Sequence, residues 1–166
     1  MTLLNANDLK VIDLKKDGFF VPAYVKLRNL HATALLTKSV SVVEMIRCLI
    51  QENVEVRCVI NDPELLGATI LYPDKDGEVA LFAKVQGQGI GSLLLETIEG
   101  VAVEQHLSEV WAWVSESNAA AQKAFLKNGY VESHGFEKEY QVKTISGVIF
   151  VKKLLIPVPA PNEIPG

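Results

Sequence analysis

Apolar and polar residues follow two rhythms along this chain, and each change of rhythm marks an element. Residues 54–60 alternate with period two, with Val54, Val56, Cys58 and Ile60 against Glu55 and Arg57, as a half-covered strand requires. Residues 9–14 alternate in part and read as an earlier strand, closed by Lys16-Asp17-Gly18. Between them the period lengthens. Pro22 suits a first helical turn, and Tyr24, Leu27, His31, Ala34 and Leu35 then recur at helical spacing. Ser39 or Ser41 can cap a second helix, whose buried side would be Val42, Val43, Ile46, Leu49 and Ile50.

Asn61-Asp62-Pro63 ends the alternating strand, and residues 66–72 form the next. Pro73-Asp74-Lys75-Asp76-Gly77 is a dense turn signal, followed by a strand over 78–83, so three strands make a meander. After a glycine-rich break comes a helix burying Leu94, Leu95, Ile98, Val101 and Ala102, with Glu96, Glu99 and Glu104 towards water. Residues 109–114 are a strand with Trp111 and Trp113 on one face, and strand-helix-strand order predicts a parallel pair with a right-handed crossover. Ser117 or Asn118 caps a short helix to Asn128, which Gly129 ends in a left-handed conformation. Strands near 130–142 and 146–154 follow. The chain thus divides into a single domain over 1–155 and a proline-rich tail, 156–166, carrying Pro157, Pro159, Pro161 and Pro165.

Composition narrows the function. The 166 residues are 49% hydrophobic and 22% charged, which suits one globular core. A net charge of -4 argues against a nucleic-acid surface. No run approaches the ~18 to 20 apolar residues of a membrane span, and the first ten residues lack a secretory layout, so the expected location is the cytoplasm, without a membrane partner. Cys48 and Cys58 lack metal-ligand spacing and read as reduced, buried thiols, so no metal is expected. His31, His106 and His134 lack recognisable partners and are assigned to packing or solvent.

The strongest chemical signal is Gln86-Gly87-Gln88-Gly89-Ile90-Gly91, followed by Ser92-Leu93-Leu94. Glycines at every second position strip side chains from the loop, and the helix behind it starts with free backbone N–H groups. Together these make a socket for phosphate oxygens. A nucleotide-binding enzyme of another class would add a Lys-Ser/Thr after the loop or place the loop after its first strand, and this chain does neither.

The order of elements and three separated motifs resemble the GNAT superfamily of acyl-CoA-dependent N-acetyltransferases, over roughly residues 8–154. Residues 86–91 resemble that family's Q/R-x-x-G-x-G/A loop. The segment from Asn118 through Ala121 and Phe125 to Gly129-Tyr130 is similar to its N-x-x-A-x-x-x-Y segment followed by G-F, and Gly67 stands where the family has a glycine early in its third strand. The resemblance implies an α+β, GNAT-like fold: a central mixed, mostly antiparallel sheet flanked by helices, with a parallel strand-helix-strand unit at the CoA site. It implies acetyl-CoA as cosubstrate, its pyrophosphate held by the amides of Gln86, Gly87, Gln88, Gly89, Ile90, Gly91 and Ser92, with Ala83, Val85, Asn118 and Phe125 also at the cofactor. Two departures stand out. The link between Ala83 and Gln86 is about two residues short, and Phe125 replaces a tyrosine that in many members protonates the departing thiolate.

Acetyl transfer needs a neutral amine, and a lysine-like amine with pKa near ~10.4 costs about 4 to 5 kcal/mol to deprotonate at pH 7. Glu78, on the strand before the loop, is the candidate base; a solvated strand end is its other reading, and exposure accounts for Glu55. The acetyl oxygen would take a backbone N–H within 83–85. Asn118 has two compatible readings, helix cap and cofactor contact, and Phe125 is core or a wall against the pantetheine. Trp111 and Trp113 read as core ahead of groove lining. The expectation is an N-acetyltransferase acting on a primary amine of a small molecule or peptide, compatible with a homodimer; the alternative is a non-catalytic acyl-CoA-binding module of the same fold.

Overall fold

A computed structural model describes residues 8–84 and 86–155. Four strands come first in the sheet: β1 (Lys10–Asp13), β2 (Glu55–Asn61), β3 (Glu64–Tyr72) and β4 (Glu78–Ala83), each antiparallel to the next. Beyond β4 lie β5 (Glu109–Ser115), β7 (Lys143–Lys153) and, at the edge, β6 (Val131–Tyr140), so the spatial order is β1-β2-β3-β4-β5-β7-β6. The β4–β5 pair is parallel, joined through helix α4 (Ile90–Glu104), and the other pairs are antiparallel. This is the mixed, mostly antiparallel sheet the sequence predicts.

Two helical layers cover the two faces. On one face lie α1 (Val21–Leu30), α2 (Ala32–Leu35) and α3 (Val42–Gln51), packing Tyr24, Leu27, Met45 and Leu49 onto Val56, Ala68, Ile70 and Phe82. On the other, α4 and α5 (Ala119–Lys127) pack Leu95, Ile98 and Phe125 onto Val79, Ala112 and Val114. Gly67 of β3 explains how closely α4 sits: a Cβ there would meet Ile90 Cγ2, Leu94 Cδ1 and the Phe82 carbonyl, each at 3.1 Å.

The local signals resolve cleanly. Ser41 caps α3 in a reciprocal box, its hydroxyl accepting from Glu44 N–H while Glu44 accepts from Ser41 N–H. Asn118 Oδ1 accepts from Ala121 N–H and caps α5. Gly129 closes that helix at φ +87°.

Several expectations fail, each for a packing reason. The helical run 22–35 is two helices, because the chain turns at His31, whose Nδ1 bonds the Leu27 carbonyl at 3.0 Å. On α3 the buried line is Met45 and Leu49, whereas Val43, Ile46 and Ile50 are exposed: the apolar arc is wider than the seam with α1 and the sheet. Glu99 does not face water; it bonds Tyr130 Oη at 3.0 Å and Lys152 Nζ at 2.7 Å. Glu55 is half-buried, paired with Arg57 at 2.9 Å and Lys15 at 3.9 Å. The predicted tail, 156–166, and the first seven residues lie outside the described residues. Among the described residues no helix is long and apolar enough to cross a membrane, and no three His, Cys, Asp or Glu side chains gather as a metal set.

Candidate active site

The sheet forks at its centre. A single residue pair joins β4 and β5, Glu78 and Trp111, closed by Trp111 N–H donating to the Gly77 carbonyl at 3.1 Å. Lys84 N–H donates to Leu66 O at 2.7 Å, so by alternation the backbone groups of Leu81 and Ala83 face β5, from which the strand has parted. A cleft of about 70 Å³ fills the fork.

Register fixes what each side of this cleft presents. Cross-strand partners share a face: Tyr72 with Glu78, Glu78 with Trp111, Trp113 with Ile149, and Gly147 with Phe136. With a period of two, Glu78, Ala80, Trp111, Trp113, Phe136, Lys138 and Tyr140 therefore lie on the face covered by α1 to α3. Val79, Leu81, Ala112 and Val114 lie on the α4–α5 face, and both sets contribute to the cleft lining. The fork is a passage from one face of the sheet to the other.

On the α4 face stands the glycine loop. Gly87 (φ +79°) and Gly89 (φ +77°, the N-cap of α4) adopt the left-handed region that favours glycine. Beside Gly87, Gly89 and Gly91, a Cβ would find no atom within 4 Å, so the loop opens onto empty space over the first turn of a fifteen-residue helix. No side chain caps that turn, and no acidic residue occupies it. Gln88 Oε1 is buried without a partner among the described residues. Ser92 accepts from Asn128 Nδ2 at 3.2 Å, which fixes the turn to the end of α5. A backbone-lined concavity with spare N–H donors and no neutralising carboxylate fits a phosphate-bearing group.

Of the other residues expected at the cofactor, Asn118 and Phe125 line the cleft, whereas Ala83 ends β4 beyond its lining. Val85 lies outside the described residues. Phe125 is a wall, set edge-on to Tyr130 at 4.9 Å and parallel to Phe150 at 6.0 Å. Tyr130 does not replace the missing phenol: its hydroxyl is committed to Glu99, and burial, with Glu99 adding, raises its pKa. Tyr72, cross-strand from Glu78, is likewise raised by burial, with Arg28 opposing and Glu78 adding.

On the α1–α3 face the cleft meets Glu78, Ala34 and Leu35 of α2, Trp113, Ser115 and Lys138. Glu78 is the cleft's carboxylate, half-buried at the vertex of the fork. The two tryptophans are half-buried groove residues rather than core, since their indole N–H groups reach Lys75 O at 2.9 Å and Phe136 O at 2.8 Å. Lys138 Nζ stands 4.8 Å over the Trp113 ring. Tyr140 Oη donates to Thr37 O at 3.2 Å, tying the β6–β7 hairpin to the end of α2. His31 stacks on Phe82 at 5.6 Å, while His106 and His134 are exposed. Lys138 and Ser115 carry no mark in the sequence, and Leu35 stands out there only as an apolar helical position. Their signal is register: Lys138 falls on the Trp113 face only once β7 is known to separate β5 from β6.

Comparison with known proteins agrees with this geometry. The model of the family described as acetyltransferase (GNAT) matches residues 25–130. No curated protein matches the sequence. Among solved structures, a ribosomal-protein-alanine N-acetyltransferase from Brucella melitensis superposes with a TM-score of 0.76 at 16% identity, covering 87% of this chain and 99% of its own. An N-acetyltransferase from Staphylococcus aureus Mu50 gives 0.75 at 16%, with 89% and 99% covered. A phosphinothricin acetyltransferase from Sinorhizobium meliloti, in complex with acetyl-CoA, gives 0.73 at 11%, with 89% of each chain covered. These likenesses concern the fold, and the family match spans well over half of the sequence. With a sheet forked between β4 and β5 and a glycine cradle at α4, this chain belongs to the acetyltransferase (GNAT) family.

Proposed function

We propose that the protein moves the acetyl group of acetyl-CoA to a primary amine by direct attack in a ternary complex. The observation that carries this reading is the fork: its lining runs from Val114, Ala121 and Phe125 on the α4–α5 face, the face on which the glycine cradle stands, to a carboxylate, Glu78, on the α1–α3 face. Donor and acceptor can therefore approach from opposite faces and meet between the strands.

Bound acetyl-CoA would supply an activated thioester. The residues of the chain do the rest. The N–H groups from Gly87 to Ser92 hold the diphosphate against the helix terminus. Beyond the Glu78–Trp111 pair, the backbone of Leu81 and Ala83 offers edge-strand hydrogen bonds to an extended amide-bearing arm and an N–H for the acetyl oxygen. Glu78 accepts the ammonium proton, freeing the nitrogen lone pair for the carbonyl carbon; the new C–N bond forms as the C–S bond breaks, the sulfur departs with its electron pair, and the second nitrogen proton passes through solvent to that thiolate, leaving a neutral amide and the CoA thiol. Phe125 gives that sulfur no proton. With a reference thiol pKa near ~8.5, thiolate is a tolerable leaving group, so loss of the phenol is compatible with turnover.

The test pairs binding with turnover. Saturating CoA should raise the melting temperature by roughly 5 to 11 °C at about 100 times Kd, and ATP and NAD should not. Acetyl-CoA consumption over a panel of amino acids, polyamines and peptides should then appear and be lost in Glu78→Gln. A shift with ATP or NAD alone sinks the donor assignment. CoA binding with no turnover for any amine would mark instead a binding module.

A further inference from the structure

We propose that the acceptor is a small α-amino acid, whose carboxylate pairs with Lys138 while its amine is presented to Glu78. The inference rests on the acetyl-transfer reading above and names the substrate class of that same site.

Lys138 and Glu78 both line the cleft, on the same face of the sheet. Among the described residues no carboxylate lies within 4.0 Å of Lys138 Nζ, Glu78 included. Its neighbours on β6, Glu137 and Glu139, are turned to the opposite face by strand alternation. Its cross-strand partner on β7 is Ile145. The ammonium therefore has no ion-pair partner among the described residues, in a cleft whose lining mixes apolar residues with Glu78, Ser115 and Asn118.

Its position is also fixed. Trp113 lies against Gly147, where a Cβ would be 2.2 Å from the indole Cε2, and its N–H is bonded to Phe136 O at 2.8 Å. On this pinned ring Lys138 Nζ stands at 4.8 Å, and the cation–π contact leaves its N–H donors free on the cleft side. A carboxylate accepting from an ammonium held in advance loses little on ordering. The opposite charge, Glu78, suits the other end of a zwitterion. The whole fork, both faces together, measures about 70 Å³, far below the ~300 Å³ at which drug-sized sites begin, so the part left to the acceptor beside the donor's thioester is small. Ala34 and Leu35 complete the wall and suit an apolar amino-acid side chain over a charged one.

The experiment compares kcat/KM for small α-amino acids with their carboxamides and their decarboxylated amines, in the wild-type chain and in Lys138→Gln and Lys138→Arg. The carboxylate form should be favoured by about 10- to 100-fold in the wild type, mainly through KM. Lys138→Gln should erase that preference while acetylation of the decarboxylated amine persists, and Lys138→Arg should restore it. Equal use of amines with and without the carboxylate by the wild type overturns the inference yet leaves acetyl transfer standing. A preference that survives in Lys138→Gln also overturns it. Failure to acetylate any amino acid does so too, and the acetyl-CoA thermal shift then shows whether the donor assignment falls with it.

Discussion

The indole of Trp113 rests on Gly147 two strand positions from the point where it would be paired, and no larger residue fits beneath it. A Cβ on Gly147 would be 2.2 Å from Cε2 and 2.3 Å from Cζ2 of that ring. Gly147 pairs with Ser115, so Trp113 leans across β7 and reaches the β6 carbonyl of Phe136. One missing side chain on β7 thus lets a tryptophan on β5 form the floor of the groove beside Glu78.

Gly147→Ala should consequently displace the indole and break its hydrogen bond. The expected cost is about 1 to 3 kcal/mol of overpacking, or roughly 2 to 12 °C in melting temperature, with a changed near-ultraviolet tryptophan signal. Calorimetry and circular dichroism on the same sample check it; an unchanged near-ultraviolet spectrum would contradict the pinned ring.

Glu78→Gln keeps the shape of the vertex and removes the proton acceptor. A fall in kcat of roughly 10² to 10⁴ is expected, with the acetyl-CoA thermal shift unaltered. Activity of the variant should recover as pH rises towards the acceptor amine's own pKa, because the acceptor then arrives neutral. A pH–rate profile of both proteins reads this directly.

Gly91 offers a clean probe of the cradle. Its φ lies outside the left-handed region and nothing stands within 4 Å of its Cβ position, so Gly91→Leu strains neither backbone nor packing. The new side chain projects into the open space of the cradle. At fixed acetyl-CoA, a tenfold rise in Kd would remove about 1.4 kcal/mol of ligand stabilisation, roughly 3 to 6 °C, while the ligand-free melting temperature holds. Equal shifts in wild type and variant would place the diphosphate elsewhere.

Cys58 gives a pH prediction with a definite sign. Burial among the α1–α3 core pushes its thiol from 9.0 up to about 12, with Arg57 opposing and Asp13 adding. The unfolded chain therefore ionises first. This contribution to stability is fully present below pH 9 and is lost as pH rises towards 12. Between pH 8 and pH 10 the loss should be about 1.4 kcal/mol, and Cys58→Ala should fall less steeply over the same range. Denaturant titrations at the two pH values measure the difference.

The sequence by itself determined most of the elements and the glycine loop, because both depend on local chemistry. Period-two runs, the Ser41 and Asn118 caps and the glycine spacing from Gly87 to Gly91 act on their own backbone neighbours, and each stands where the pattern puts it. Gly67 was visible as a glycine, although its reason, the approach of Ile90 and Leu94, is tertiary. Of the proposed acceptor side, Glu78 alone was legible as chemistry. The parts of that side are spread over α2, β4, β5 and β6, and they converge only because β7 inserts between β5 and β6 while β4 and β5 part after one residue pair. The same non-local packing decided that Val43 and Ile50 face outward, that Glu99 serves Tyr130 and Lys152, and that Trp113 lines a groove rather than fills a core. Periodicity tells which residues share a face; which faces meet depends on strand order and register, and these are set by contacts between residues far apart in the chain.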